Sequence, residues 1–267
     1  MRVIGIGHLL LALGLAGIGA LSLGSGDFAY VWQPVPMWVP GREFLAYASG
    51  ILLVAGCIGL LLKRTAGLAA FIVAAYVLLW VLVLQVPRVI NAPGDMGMWL
   101  GMSLTLILMA GGWILFASLA GPQDRIGRSF ITSENGMRVA RFLMGAGCFG
   151  CGLSHFVYTA ATASMVPAWL PDRVGFAYLT GAGHCAAGIG LMLAIFPRLA
   201  ATLEAAMLSL FVLLIHIPAV VAEPGSRMYW TMAFIASAYA GSVWNAARSL
   251  NDSSWGWARR TSIATTA

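Results

Sequence analysis

A run of roughly 20 apolar residues leaves a chain few options, because its backbone donors and acceptors find no water in an apolar setting and must satisfy one another, as a helix does. Eight such runs follow one another in this sequence, at about residues 3–23, 44–62, 66–86, 98–119, 139–159, 175–196, 199–219 and 229–248. At about 1.5 Å of rise per residue, each is long enough to cross about 30 Å of hydrocarbon. The expected fold is an all-α membrane protein with eight transmembrane helices in contact with a lipid bilayer. Composition agrees, since 60% of the residues are hydrophobic, 9% are charged and the mean hydropathy is +0.88, values foreign to a water-soluble domain of this length. The first run follows Met1 and Arg2; it is longer than a signal-peptide core and has no clear small-residue cleavage site, so it reads as a span.

A formal charge of +6 raises the question of nucleic acid. The basic residues are spread over short loops instead of forming a stripe interleaved with aromatics, so no nucleic-acid partner is expected. Their distribution is topological. One side of the eight spans carries Arg2, Lys63, Arg64, Arg125, Arg128, Arg138, Arg141, Arg198, Arg248, Arg259 and Arg260, and the other only Arg42, Arg88, Arg173 and Arg227. The positive-inside rule then places both termini and the 121–138 linker in the cytoplasm of a bacterial inner (plasma) membrane. Trp99 and Trp230 at outer helix starts, and Trp244 near an inner end, suit an aromatic belt. Cys57, Cys148, Cys151 and Cys185 all fall within spans, so no disulfide framework is implied.

The chain also contains a duplication. Residues 35–94 align without a gap on 166–225, at a constant offset of 131, with 25 identities in 60 positions. The segment VPMWVPGR, from Val35 to Arg42, matches VPAWLPDR, from Val166 to Arg173, and the register persists through Pro87 and Pro218, Trp99 and Trp230, and Trp113 and Trp244. The expected organisation is a first four-helix repeat at 1–120, a cytoplasmic linker at 121–138, a second repeat at 139–250 and a cytoplasmic tail at 251–267. An even number of spans per unit makes the repeat parallel, with its pseudo-two-fold axis along the membrane normal. Glycines 145, 147, 150 and 152 in span five and 181, 183, 188 and 190 in span six should mark close helix contacts.

Differences between the halves bear more directly on function. Leu53 corresponds to His184, Val73 to Glu204 and Gln85 to His216, so only the second half has ionisable groups at these three in-membrane positions. Each costs on the order of 2.5–3.5 kcal/mol at a bilayer centre, which marks the second half as the functional one.

The run Gly152-Leu-Ser-His155-Phe-Val-Tyr158, with VPAWLP at 166–171, Ala177-Tyr-Leu-Thr-Gly181 and Arg198-Leu-Ala-Ala201, resembles the DoxX-like family of four-span membrane proteins over most of residues 139–248. The first half fits as a diverged copy. The resemblance implies a membrane-associated, redox-linked role; founding relatives include a subunit of a thiosulfate:quinone oxidoreductase. Many relatives carry an acidic residue where this chain has His184.

The candidate catalytic residues are His155, His184, Glu204 and His216. A quinone site needs a His or acid donor to a carbonyl oxygen within an apolar, aromatic-lined pocket, which His184 or His216 with Trp169, Phe176 and Tyr178 would supply; a bis-histidine haem from His184 and His216 is the other cofactor expectation. Against this stands the bland reading, in which each histidine is a hydrogen-bonded core or interface residue and Glu204 is a neutral acid holding two helices together. On a regular helix Glu204 and His216, twelve residues apart, lie about 120° apart and do not face one centre. Cys148, Cys151 and His155 share one face of span five, a soft-ligand stripe or two small residues at a tight contact; no metal site is assigned. Trp38 and Trp169 in the VPxWxP loops suit interfacial elbows, and Arg42 and Arg173 suit contacts with lipid phosphates or an anionic substrate. No phosphate loop, HExxH or Ser-His-Asp order is present, which excludes the usual soluble-enzyme chemistries. Three functions remain open: a quinone-linked oxidoreductase component; a non-catalytic subunit or assembly factor that packs against a membrane-protein partner or a second copy; and a small-molecule or ion carrier, which a two-fold repeat suits although matched broken helices at midplane are missing.

Overall fold

A computed structural model describes residues 5–30, 32–120 and 129–251, and among these all regular structure is helical. The helices are α1 (Ile6–Ser25), α2 (Arg42–Leu61), α3 (Ala66–Asn91), α4 (Met96–Leu119), α5 (Glu134–Val157), a short α6 (Thr159–Met165), α7 (Arg173–Met192), α8 (Pro197–Ala222) and α9 (Arg227–Ser249). Arg2, Arg125, Arg128, Arg259 and Arg260 lie outside the described residues, as do positions 121–128 of the expected linker and the tail from 252.

Among the described residues six helices, α1, α2, α3, α4, α7 and α8, are long and apolar enough to cross a membrane. This is the build of a multi-pass membrane protein. The two that fall short of the expected eight, α5 and α9, have the length, at 24 and 23 residues, but not the apolarity. The physical reason is their position. Helix α5 lies against α4 and α7, and α9 against α1, α4 and α8. A helix walled by other helices is selected for small residues and partnered polar groups instead of bulky apolar ones. Helix α5 also begins earlier than hydropathy suggests, because Ser133 caps it by accepting a hydrogen bond from Gly136 N–H at 3.1 Å and its first turns hold Glu134, Arg138 and Arg141.

The helix boundaries keep the 131-residue offset. Helices α2 and α7 start at 42 and 173 and end at 61 and 192; α3 and α8 run from 66 to 91 and from 197 to 222; α4 and α9 start at 96 and 227. The offset extends to irregularities. Both α3 and α8 contain a π-helical turn, at Val81–Gln85 and Val212–His216. Pro87 and Pro218 follow these turns, and each ring would collide with the carbonyl four residues earlier, at Val83 and Leu214, which lie within the widened turns. Trp99 and Trp230 each donate from the indole to a proline carbonyl, Pro93 O at 2.8 Å and Pro224 O at 2.9 Å.

Close helix approach rests on the glycines. A Cβ at Gly145 would stand 2.6 Å from Gly188 O, and one at Gly188 would meet Gly145 O at the same distance. Gly152 and Gly181 repeat this one end further along, so α5 and α7 touch backbone to backbone. Gly147 and Gly150 instead face Ser103 of α4.

The loops gather at two ends of the bundle. At one, Asp27 pairs with Arg42 at 2.5 Å and with Arg227 at 3.5 Å, Arg227 donates to Phe28 O at 2.8 Å, and Tyr158 OH donates to Asp95 Oδ1 at 3.4 Å. Arg42 is therefore held by a carboxylate of its own chain. At the other end, Arg141 donates to Ser249 O at 3.2 Å and Trp113 Nε1 to Ile131 O at 2.7 Å.

Candidate functional site

The ionisable residues unique to the second half converge. His184 stands in the middle of α7 and Glu204 in α8, and His184 Nδ1 is 2.6 Å from Glu204 Oε1. Both side chains are sealed, at 4% and 0% exposure. A pair so buried is favourable only when each polar atom has a partner. Glu204 does not fully meet that condition: its second oxygen, Oε2, has no hydrogen-bond partner among the described residues. The Cys148 thiol, a weak donor, faces the carboxyl.

The close contact of α5 and α7 brings in the next residue. A Cβ at Gly181 would stand 2.8 Å from His155 Cβ, so the glycine leaves the room that His155 fills. The His155 ring meets the His184 ring edge to face, with centroids 5.0 Å apart and planes at 77°. Its Nδ1 is 3.1 Å from Thr180 Oγ1. Phe211 of α8 covers His184 from the other side, with ring centroids 5.9 Å apart.

His155, His184 and His216 line one cavity of about 350 Å³. Glu204 and His216, expected to face apart, line different spaces, and a π-helical turn narrows the angle expected between them. It lies between them and adds one residue to a single turn, so the twelve-residue separation covers roughly the angle of eleven, about 20° from a common face. His216 thus reaches the cavity that His184 lines, while Glu204 holds His184 from behind.

Two cavity residues escaped the sequence reading. Trp32, in the segment between α1 and α2, and Tyr239, in α9, line the same space, and neither Trp32 Nε1 nor Tyr239 OH has a hydrogen-bond partner among the described residues. The two groups face each other, the Trp32 indole N–H toward the Tyr239 oxygen. A buried donor without an acceptor costs about 1–3 kcal/mol, so the Tyr239 O–H asks for an acceptor in the cavity. A tyrosine or tryptophan inside an apolar helix or beside one is the only signal in the sequence, a polar handle on an apolar body. Trp169 and Tyr178, expected beside the histidines, are not among the lining residues: Trp169 is 69% exposed, and Tyr178 stacks on Phe156 with centroids 5.8 Å apart.

Cys148 and Cys151 are buried and unbridged. Among the described residues no group of three or more His, Cys, Asp or Glu side chains is arranged to hold a metal ion. In the first half the matched positions are filled by buried Leu53, Val73 and Gln85, and a larger, mainly apolar cavity of about 740 Å³ opens between α2 and α3 beneath Trp38 and Val39.

The arrangement offers hydrogen-bond donors on two walls of an apolar cavity, with a carboxyl behind one of them able to take or supply a proton. No protein-family model, no curated protein and no solved structure matches this chain.

Proposed function

We propose that this chain is a DoxX-like protein of the bacterial inner membrane, with eight spans in two parallel four-helix repeats and both termini cytoplasmic, and that its second half binds a quinone head group as a component of a membrane redox system. The observation that carries the reading is the cavity of about 350 Å³ ringed by His155, His184 and His216, with Trp32 Nε1 and Tyr239 OH lacking partners. A para-quinone presents two carbonyl oxygens on opposite edges of one ring. His184, braced by Glu204, suits one of them, and Trp32 with Tyr239 suits the other. The volume suits one substituted ring and the start of its apolar tail; a tetrapyrrole is larger than the cavity, which favours quinone over haem. Electrons would pass to or from a membrane partner, since the chain's own residues supply proton donors and acceptors.

The recurrence of helix boundaries and π-helical turns at an offset of 131 supports the two-repeat organisation. The sharing of loops between two ends supports the topology, with Arg42 and Arg227 at the outer end and Arg141 and Arg198 at the cytoplasmic one. The partly polar α5 and α9 are the remaining two spans, shielded by the helices around them.

The test is purification in mild detergent followed by quinone extraction. Near-stoichiometric quinone in the wild type, lost in His184→Ala and His216→Ala, is expected. A quinone-free preparation with a stable protein partner would overturn the reading in favour of a packing subunit.

A further inference from the structure

Glu204 looks in two directions. Through Oε1 it holds His184, which lines the histidine cavity. The same residue lines a second space of about 490 Å³ between α7 and α8, walled by Gly183, Ala186, Leu203 and Met207. Among the described residues, none lines both spaces. They also lead to opposite ends of the bundle. The histidine cavity extends to Trp32, Tyr158 and Met165, beside the loops where Asp27 and Asp95 lie, whereas the α7–α8 groove runs to Ile195 and Phe196, in the turn at the other end. The His184–Glu204 pair thus stands between the two spaces, and the carboxyl oxygen not used by His184 is buried without a hydrogen-bond partner among the described residues.

We propose that the His184–Glu204 pair is a proton relay joining the histidine cavity to the α7–α8 groove, so that protons exchanged with a ligand in the cavity enter or leave at the opposite face of the membrane. The relay rests on the cavity proposed above as a ligand site, though not on the ligand being a quinone. In one passage a hydroxyl in the cavity gives its proton to His184 Nε2, His184 gives the proton on Nδ1 to Glu204 Oε1, and the carboxyl turns and releases it on the groove side. Reversal of the imidazole ring resets the pair. One proton enters and one leaves, no electrons move, and the same steps run backwards. The titratable groups facing the pair are Cys148, Cys151 and His155 on α5, Cys185 on α7 and His216 on α8. Small residues at Gly183 and Ala187, opposite Met207, leave the volume of the groove unfilled.

Dicyclohexylcarbodiimide tests groove-side access, because it partitions into lipid and reacts with a protonated carboxyl: the carboxyl oxygen bonds the central carbon and its proton moves to a nitrogen. The full chain, in vesicles of phosphatidylethanolamine and phosphatidylglycerol, should gain one adduct at Glu204, read by peptide mass spectrometry and absent in Glu204→Gln. Ala186→Trp, at an exposed position on the groove wall, should slow the adduct at least tenfold while leaving quinone binding unchanged. The same vesicles, with a pH dye inside and an imposed potential, should show proton entry that falls at least fivefold in both variants. A folded wild type without the Glu204 adduct, an adduct indifferent to Ala186→Trp, or proton entry equal in wild type and Glu204→Gln would overturn the relay. Quinone binding with no Glu204 adduct removes the relay alone, whereas an adduct and proton entry in a protein that binds no quinone removes the quinone reading alone.

Discussion

At the scale of single residues, the two halves supply their own control experiment. His184 and Glu204 occupy positions filled in the first half by Leu53 and Val73, both at 1% exposure or less. Removing one member of the pair strands the other: His184→Ala should lower stability in detergent by about 2–4 kcal/mol, from a cavity and an unpartnered carboxyl together. Replacing both with the first-half residues, His184→Leu with Glu204→Val, should recover most of that loss in thermal unfolding while abolishing quinone binding. A double variant as unstable as His184→Ala would mean that the pair holds the fold together. Tyr239→Phe carries a second residue-scale prediction with opposite signs for its two readouts. The lost hydroxyl has no partner, so the ligand-free protein should be as stable as the wild type or slightly more so, while quinone affinity should fall about fivefold to tenfold, the equivalent of about 1 kcal/mol for one hydrogen bond. His184 and Glu204 were legible in the sequence, because an ionisable group opposite an apolar one in the other repeat is conspicuous, and His216 because it stands opposite the uncharged Gln85. Trp32 and Tyr239 were not, because an aromatic residue beside apolar neighbours looks the same whether or not its polar atom has a partner.

Elements decide where those residues point. The contact of Gly145 with Gly188, and of Gly152 with Gly181, lets α5 approach α7 closely enough for the His155 and His184 rings to meet. Gly188→Leu must push the two backbones apart and should cost upwards of about 2 kcal/mol, measured as a shift in unfolding midpoint. Leu203→Phe, on the exposed face of α8, should cost close to nothing. Equal effects from the two would deny the glycine contact its role. Helix α8 shows the limit of helical-wheel reasoning: the apolar run was legible, but the π-helical turn before Pro218 was not allowed for, and one extra residue in one turn is enough to swing His216 into the cavity. Helix α5 shows another, since hydropathy missed its charged first turn, which only the Ser133 cap and the Glu134 pairing with Arg138 at 3.4 Å define.

For the whole molecule, the ties between distant segments matter most. Asp27 joins the α1–α2 segment to the start of α2 through Arg42 and to the start of α9 through Arg227, two helices that are far apart in the sequence. Burial alone would raise its pKa; the hydrogen bond from Arg42, the Phe28 N–H and the positive charges of Arg42 and Arg227 outweigh burial and lower it. A carboxyl whose folded pKa is depressed contributes its stability above the unfolded value, about 3.9, and loses it as pH falls through the folded value. The tie should therefore survive at pH 5 and fail only below the ordinary carboxylate range. Unfolding midpoints of wild type and Asp27→Asn should differ at pH 7 and converge at strongly acid pH; a constant difference would place the stabilisation elsewhere. The membrane character and the duplication could be read from apolar run lengths and a fixed offset alone. Which halves of which cavities meet, and that the two repeats hold spaces of such different lining, depends on side-chain contacts across elements that no spacing rule reaches.

The central claim is that a quinone head group sits among His155, His184, His216, Trp32 and Tyr239, and photochemical cross-linking with an azido-benzoquinone tests it most directly. After illumination of the purified protein and digestion, the account predicts adducts on α5, α8 and α9 peptides containing His155, His216 and Tyr239, suppressed by excess unlabelled quinone. Saturable adducts confined to the larger first-half cavity, on α2 and α3 peptides around Leu52 and Tyr76, would contradict it.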